Sequence, residues 1–281
     1  MMMWMKEKME EATRIREGTR GMTMAFLPVV VLSICHLVVV LFVALRGFLL
    51  LRQDSSLVFE RLTANLFLVF LTISMFHCVI HILTGLATFQ LMTFLKGGVD
   101  GLGLKDSLQF PNKEWLKPSL LTLVFHYLID FLAGLPLGIG LGYFTAGLVL
   151  HGLMVLSPGA MAELALFHPS QLLQTGFIFL VLGSFVYFFI HYRFSQTVFV
   201  LYDQLAEDRY HQPMAVFQES QLLMKGVSWK AFCLDLAFLT WFISECLTLN
   251  VLSFYVRPYY QTCRAIFYQD LKEKERLLAN Q

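Results

Sequence analysis

Charge is what this chain has least of. Asp, Glu, Lys and Arg make up 15% of its 281 residues, against about 25% in ordinary globular domains. Long stretches carry almost none, which excludes a water-facing surface over most of the length. The net charge is only +1, and the basic residues fall in short loops and tails, where they set membrane topology. No nucleic-acid partner is expected from that pattern. Cysteine is sparse and odd in number: Cys35, Cys78, Cys233, Cys246 and Cys263 are scattered, four of them inside apolar runs, with no CxxC pair. That excludes a disulfide framework and a zinc ribbon, leaving the thiols as small buried hydrophobes. No phosphate-binding glycine loop, nucleophile elbow or kinase-like motif set occurs. The longest polar stretches hold about 25 residues, short of the roughly 40 a domain needs to fold alone. A soluble catalytic core has no room here, and no catalytic or cofactor-binding residue is expected.

What is present is apolar. Hydrophobic residues reach 57%, Phe alone occurs 27 times, and the fold class expected is all-α, a polytopic transmembrane helix bundle. About six apolar segments, read as five to seven crossings, are joined by short interfacial amphipathic helices. The first runs over 24–51, with Pro28 near its start, where a helix tolerates proline. The second covers 64–95. The third, 119–156, is nearly twice the length of one crossing and is interrupted by Ala133-Gly134 and Pro136; two short spans and one bent crossing both fit. A further span covers 172–190. The last run, 232–256, contains "TLNVLSF" and reads as a short hairpin or a broken helix.

The domain plan has three parts. Residues 1–23 form a cytoplasmic or interfacial segment, either a surface helix carrying Met2, Met5, Met9 and Ala12 on one side or a frayed tail. Residues 24–256 form one transmembrane domain that includes a lysine-bearing linker over 96–118 and an interfacial helix loop over 203–228. Residues 257–281 form a cytoplasmic tail. Within the linker, "LKDSLQF" reads as a short interfacial helix. With the basic segments inside, both termini are cytoplasmic, and the 157–171 loop, which lacks Lys and Arg, lies outside.

The stretch "QESQLLMKGVSWKAF" shows how one boundary is made. Pro213 opens a helix, Lys225 complements its negative end, and Gly226 supplies the left-handed residue that stops it. Trp229 and Lys230 then stand where an indole and an ammonium favour the lipid–water boundary.

The C-terminal block carries a family resemblance. "HYRFSQTVFVLYD", "ESQLLMKGVSWKAFCLDLAFLTWF" and "LTLNVLSFYVRPYYQTCRAIFYQDL" resemble the bacterial integral-membrane family called domain of unknown function 975. The matching positions include Ser195, Ser220, Leu223, Met224, Lys225, Gly226, Trp229, Phe232, Trp241, Pro258, Tyr259, Phe267 and Tyr268. The resemblance implies a bacterial membrane protein without a settled activity, and it brings no catalytic residues. The family's glycine-containing break reads "TLNVLS" here, which leaves Asn250 to supply the turn.

Two constellations stand out. Gly134, Gly138, Gly142 and Ala146 recur every four residues, a face against which another helix can pack closely. His77 and His81 are four apart in the second apolar segment, as are His126 and Asp130 in the third. Ionisable groups inside apolar spans are functional hypotheses by default. Structural hydrogen bonding, a proton or substrate path, and a zinc site are all open to these four residues. The partners expected are the lipid bilayer and another membrane protein or a second copy of the chain. The function read from these features is non-enzymatic: envelope homeostasis, export or peptide immunity at the cytoplasmic membrane. A small transporter or channel and an intramembrane metalloenzyme are the alternatives.

Overall fold

The computed structural model describes residues 2–18, 22–50, 58–97, 112–156 and 168–279. The described residues are 90% helical, with no strand among them. Helices satisfy their backbone polar groups internally, which an apolar chain surrounded by lipid requires. In chain order they are α1 (Met2–Gly18), α2 (Met22–Ala25), α3 (Leu27–Leu50), α4 (Val58–Leu95), α5 (Leu116–Leu156), α6 (Pro169–Phe194), α7 (Thr197–Ala206), α8 (Pro213–Leu223), α9 (Ser228–Leu247) and α10 (Ser253–Ala279).

Three stretches are long and apolar enough to cross a membrane: Phe70–Leu95, Lys113–Gly152 and Pro169–Ala206. A fourth arises if α8 and α9, bent by 88° at their junction, count as one broken span. Of the six segments read from sequence, three or four stand as such spans among the described residues. The first forms the 24-residue α3, Leu27–Leu50, within which Leu27–Val43 stands as a shorter apolar helix. The 119–156 run is one continuous helix and not two, with Pro136 inside it. The 104–110 interfacial helix and residues 157–167 of the outer loop lie outside the described residues.

The described chain forms two compact units, residues 1–124 with 196–281, and residues 125–195. The second unit is a pair of long helices, the distal part of α5 against α6, and glycines are the reason they close. A Cβ added at Gly140 would stand 2.5 Å from the Leu180 backbone nitrogen; one at Gly176 would stand 2.5 Å from that of Phe144. Gly147 abuts Leu173, and Gly183 abuts the backbone of Leu137. The seam repeats every seven residues on both helices, so bare backbones approach along one line. The face expected from sequence is a different one. Gly138 and Gly142 meet nothing within 4 Å, and Gly134 faces Tyr187 at an ordinary 3.8 Å. Period four and period seven both occur in this glycine-rich run, and only the partner helix chooses between them. Outside the seam the helices expose apolar side chains such as Leu182, Phe185 and Phe189.

In the first unit, α10 is the central element. Thr262 to Tyr268 are all buried, so residues expected as a cytoplasmic tail form core. Of the two readings of the N-terminal segment, a helix is what stands there: α1 packs on α10. Trp4 meets Phe267 edge-on at 5.6 Å, Lys8 pairs with Asp270 at 2.9 Å, and the Tyr259 hydroxyl donates to the Met9 carbonyl at 3.1 Å.

Two boundaries follow the local chemistry read from sequence. Gly226 takes φ +78 just after α8. The α9–α10 break is turned by Leu249 and Asn250, at φ 52 and 64; Asn tolerates that left-handed region better than most residues.

Candidate functional site

The densest polar arrangement of the first unit surrounds Asp203. It lies on α7, which is buried on nearly all sides: Phe199, Val200 and Leu201 are covered, and so are the polar Thr197 and Gln204. The Asp203 side chain is 8% exposed, so its charge needs partners. The Lys96 ammonium, just past the end of α4, donates to Oδ1 at 2.7 Å. The Tyr268 hydroxyl of α10 donates to Oδ2 at 2.6 Å. Lys272, one turn along α10, stands 4.0 Å from the same carboxylate and binds Glu219 of α8 at 2.8 Å. Gln204 donates to Glu219 at 2.8 Å, and Arg209 lies 3.8 Å from it. One charge network thus ties α4, α7, α8 and α10 together. Beside it, Tyr202 shares a hydrogen bond with Thr93 at 3.1 Å and packs against Phe89 and Trp115.

Burial, and then the Asp203 carboxylate beside it, push the Tyr268 phenol far above its usual range. It therefore stays a donor at neutral pH. With every reactive-looking group committed to a partner, the arrangement suits binding and support better than proton transfer. It opens on a cleft of about 340 Å³ lined by Lys96, Asp203, Lys272 and Arg276 among others. Sequence reading passed over this site, because Lys96, Asp203 and Lys272 lie in three segments far apart in the chain, each with an ordinary local explanation.

The residues singled out from sequence fall in different places. His77 and His81 belong to the first unit, and His126 and Asp130 to the second. In the first, His77 packs edge-on against His36, ring centroids 4.7 Å apart, and His36 also stacks on Phe76. In the second, Asp130 lies 3.7 Å from His126, as the four-residue spacing requires, and 3.3 Å from Nδ1 of His191 on α6. His191 in turn stacks on Tyr187, 4.9 Å away. Sequence reading missed His191: its approach to Asp130 depends on the α5–α6 register. Among the described residues, no group of three or more His, Cys, Asp or Glu side chains is arranged to hold a metal ion.

Other charges expected at helix ends also find partners. Asp235 accepts from Tyr260 at 2.8 Å, and Arg264 donates to that phenol at 2.9 Å. Arg257 lies 3.8 Å from Glu245.

Most of the family-like residues build the fold. Ser220 and Tyr268 are fully buried, and Pro258 and Tyr259 are buried as well. Gly226 ends α8, Lys225 is exposed, and Trp229 is 56% exposed, stacking on Phe232 at 4.9 Å.

Comparison with known proteins yields one match. The family model described as "Protein of unknown function (DUF975)" matches residues 5–275. No curated protein matches, and no solved structure does.

Proposed function

The chain belongs to the DUF975 family, and from that premise we propose that it works without catalysing a reaction. It is a multi-pass protein of the bacterial cytoplasmic membrane, with both termini inside, that acts in envelope homeostasis, export or resistance to membrane-active peptides. It does so by helix packing and by contact with lipid or a partner chain. The observation that carries this reading is what the family-like residues do: Ser220, Pro258, Tyr259 and Tyr268 are spent on the packing of α1, α7, α8 and α10, with no nucleophile–base pair among them. The test is deletion of the gene followed by challenge with a cationic amphipathic peptide. Deletion lowers survival several-fold and the intact gene restores it; unchanged survival and growth under envelope stress would remove the reading.

A second reading, a small transporter or channel, is favoured by one observation. Asp130 stands between His126 and His191 inside an apolar helix pair, where such groups are costly. Proteoliposomes separate the two. Proton or solute flux that Asp130→Asn abolishes would establish transport; absence of flux from wild-type protein would leave the first reading alone.

A further inference from the structure

We propose that the cleft beside Asp203 binds the headgroup of a phosphatidylethanolamine-type lipid, a ligand with a phosphodiester and a primary ammonium. This rests on the lipid-contact reading above and gives it a site.

Charge comes first. The cleft is lined by three cations, Lys96, Lys272 and Arg276, and three anions, Asp203, Glu207 and Glu273. A neutral lining with both signs fits a zwitterion better than an anion. Most of these charges are already engaged: Asp203 by Lys96 and Tyr268, Lys272 by Glu219, Glu207 by Arg209. Arg276 and Glu273, both exposed on α10, have no ion pair among the described residues. Among the described residues this leaves one cation and one anion of the cleft without an ion pair, three residues apart on one helix.

Their spacing sorts the two ligand charges. Lys272 and Arg276 are four apart, as are Gln269 and Glu273, so each pair stands on consecutive turns of α10. The first pair offers N–H donors to a phosphodiester, and an Arg–phosphate contact is bidentate at best geometry. The second pair offers oxygen acceptors to an ammonium that has N–H groups to give. Choline has none, and a glycerol headgroup carries no positive charge.

Depth makes the ligand a lipid. Lys96 is the residue immediately after the apolar stretch Phe70–Leu95, and Glu207 the residue immediately after Pro169–Ala206. The cleft therefore opens where two apolar helices end, at the level of the headgroups. Its wall includes Met92, one turn inside the apolar stretch of α4 and itself fully buried.

The experiment uses the full chain in detergent, with thermal unfolding followed on addition of dioleoyl phosphatidylethanolamine, the matching phosphatidylcholine and phosphatidylglycerol, or soluble O-phosphoethanolamine. The ethanolamine lipid raises the Tm by roughly 3 °C or more above the other two lipids, and the soluble headgroup at equal concentration does far less. Arg276→Gln and Glu273→Gln each remove most of that preference while leaving the lipid-free Tm in place. Equal shifts with all three lipids, a preference that survives both substitutions, or a soluble headgroup as effective as the lipid would each overturn the proposal. Absence of any ethanolamine-lipid preference in the wild-type protein, alongside a positive peptide-challenge phenotype, would sink this site alone.

Discussion

Gly176 lies so close to Phe144 that a single methyl group on it would stand 2.5 Å from the Phe144 backbone nitrogen. The contact is backbone against backbone, so no rotamer change can relieve it, and the α5–α6 pair closes only where side chains are missing. Gly140→Leu or Gly176→Leu should therefore lower stability by 1–3 kcal/mol or more, the usual order for overpacking. Gly138→Leu and Gly142→Leu, which point into open space, should change it by less than about 0.5 kcal/mol. Melting curves in detergent decide this; equal losses on both faces would refute the seam.

The Asp203 network should behave as a buried charge cluster. Removing the carboxylate in Asp203→Ala leaves Lys96 without its close partner and strips the Tyr268 hydroxyl of its acceptor. The expected cost is about 3–5 kcal/mol. Tyr268→Phe removes one charge-assisted hydrogen bond and should cost about 1.5–3 kcal/mol. If the double variant loses the sum of the two single losses, the residues are not coupled and the network is not one unit.

Alkali should weaken the first unit through α10. Burial pushes the Cys263 thiol up to about 12 from its ordinary 9.0. The folded state thus holds a proton that the unfolded chain releases near pH 9. Stability from this group is complete below that pH and is lost as pH rises from 9 towards 12. Iodoacetamide at pH 9.5 should leave Cys263 unmodified in the folded protein and label it quickly in SDS. Cys263→Ala should make unfolding less sensitive to pH over that interval; fast labelling of the folded thiol would contradict its placement.

At the α9–α10 break, Asn250 holds φ 64, a conformation that costs a β-branched side chain more than roughly 1 kcal/mol. Asn250→Gly should be neutral or slightly stabilising, and Asn250→Val should lower the Tm. The opposite order would show that the turn is not as described.

The sequence made some of this legible and hid the rest for identifiable reasons. Helix boundaries written in local chemistry could be read: Pro213 opening α8, Gly226 closing it, Asn250 turning the chain in place of a glycine. The helical class followed from apolar composition. What needed a partner in space could not be read. Which glycines meet α6 could not be read, because Gly138 and Gly140 are two residues apart in the same run and only α6 distinguishes them. Residues 257–281 read as a cytoplasmic tail from Lys272, Lys274 and Arg276 near its end, and that reading carries no sign that Cys263, Ala265, Ile266 and Phe267 are buried. Asp203 looked like the polar end of a span, and its three partners come from residues 96, 268 and 272.

Whether lipid covers the exposed apolar faces can be measured directly by cysteine accessibility in membrane vesicles. In a background with the native cysteines replaced by alanine, one cysteine is placed at Phe185, 62% exposed on α6, and another at the exposed Glu273 on α10. Lipid around α6 predicts that a water-soluble maleimide, supplied to both faces of opened vesicles, labels Glu273→Cys rapidly and Phe185→Cys at least about tenfold more slowly, although both side chains are free of protein cover. Equal labelling rates would mean that water, not lipid, surrounds α6, and would contradict the account at its base.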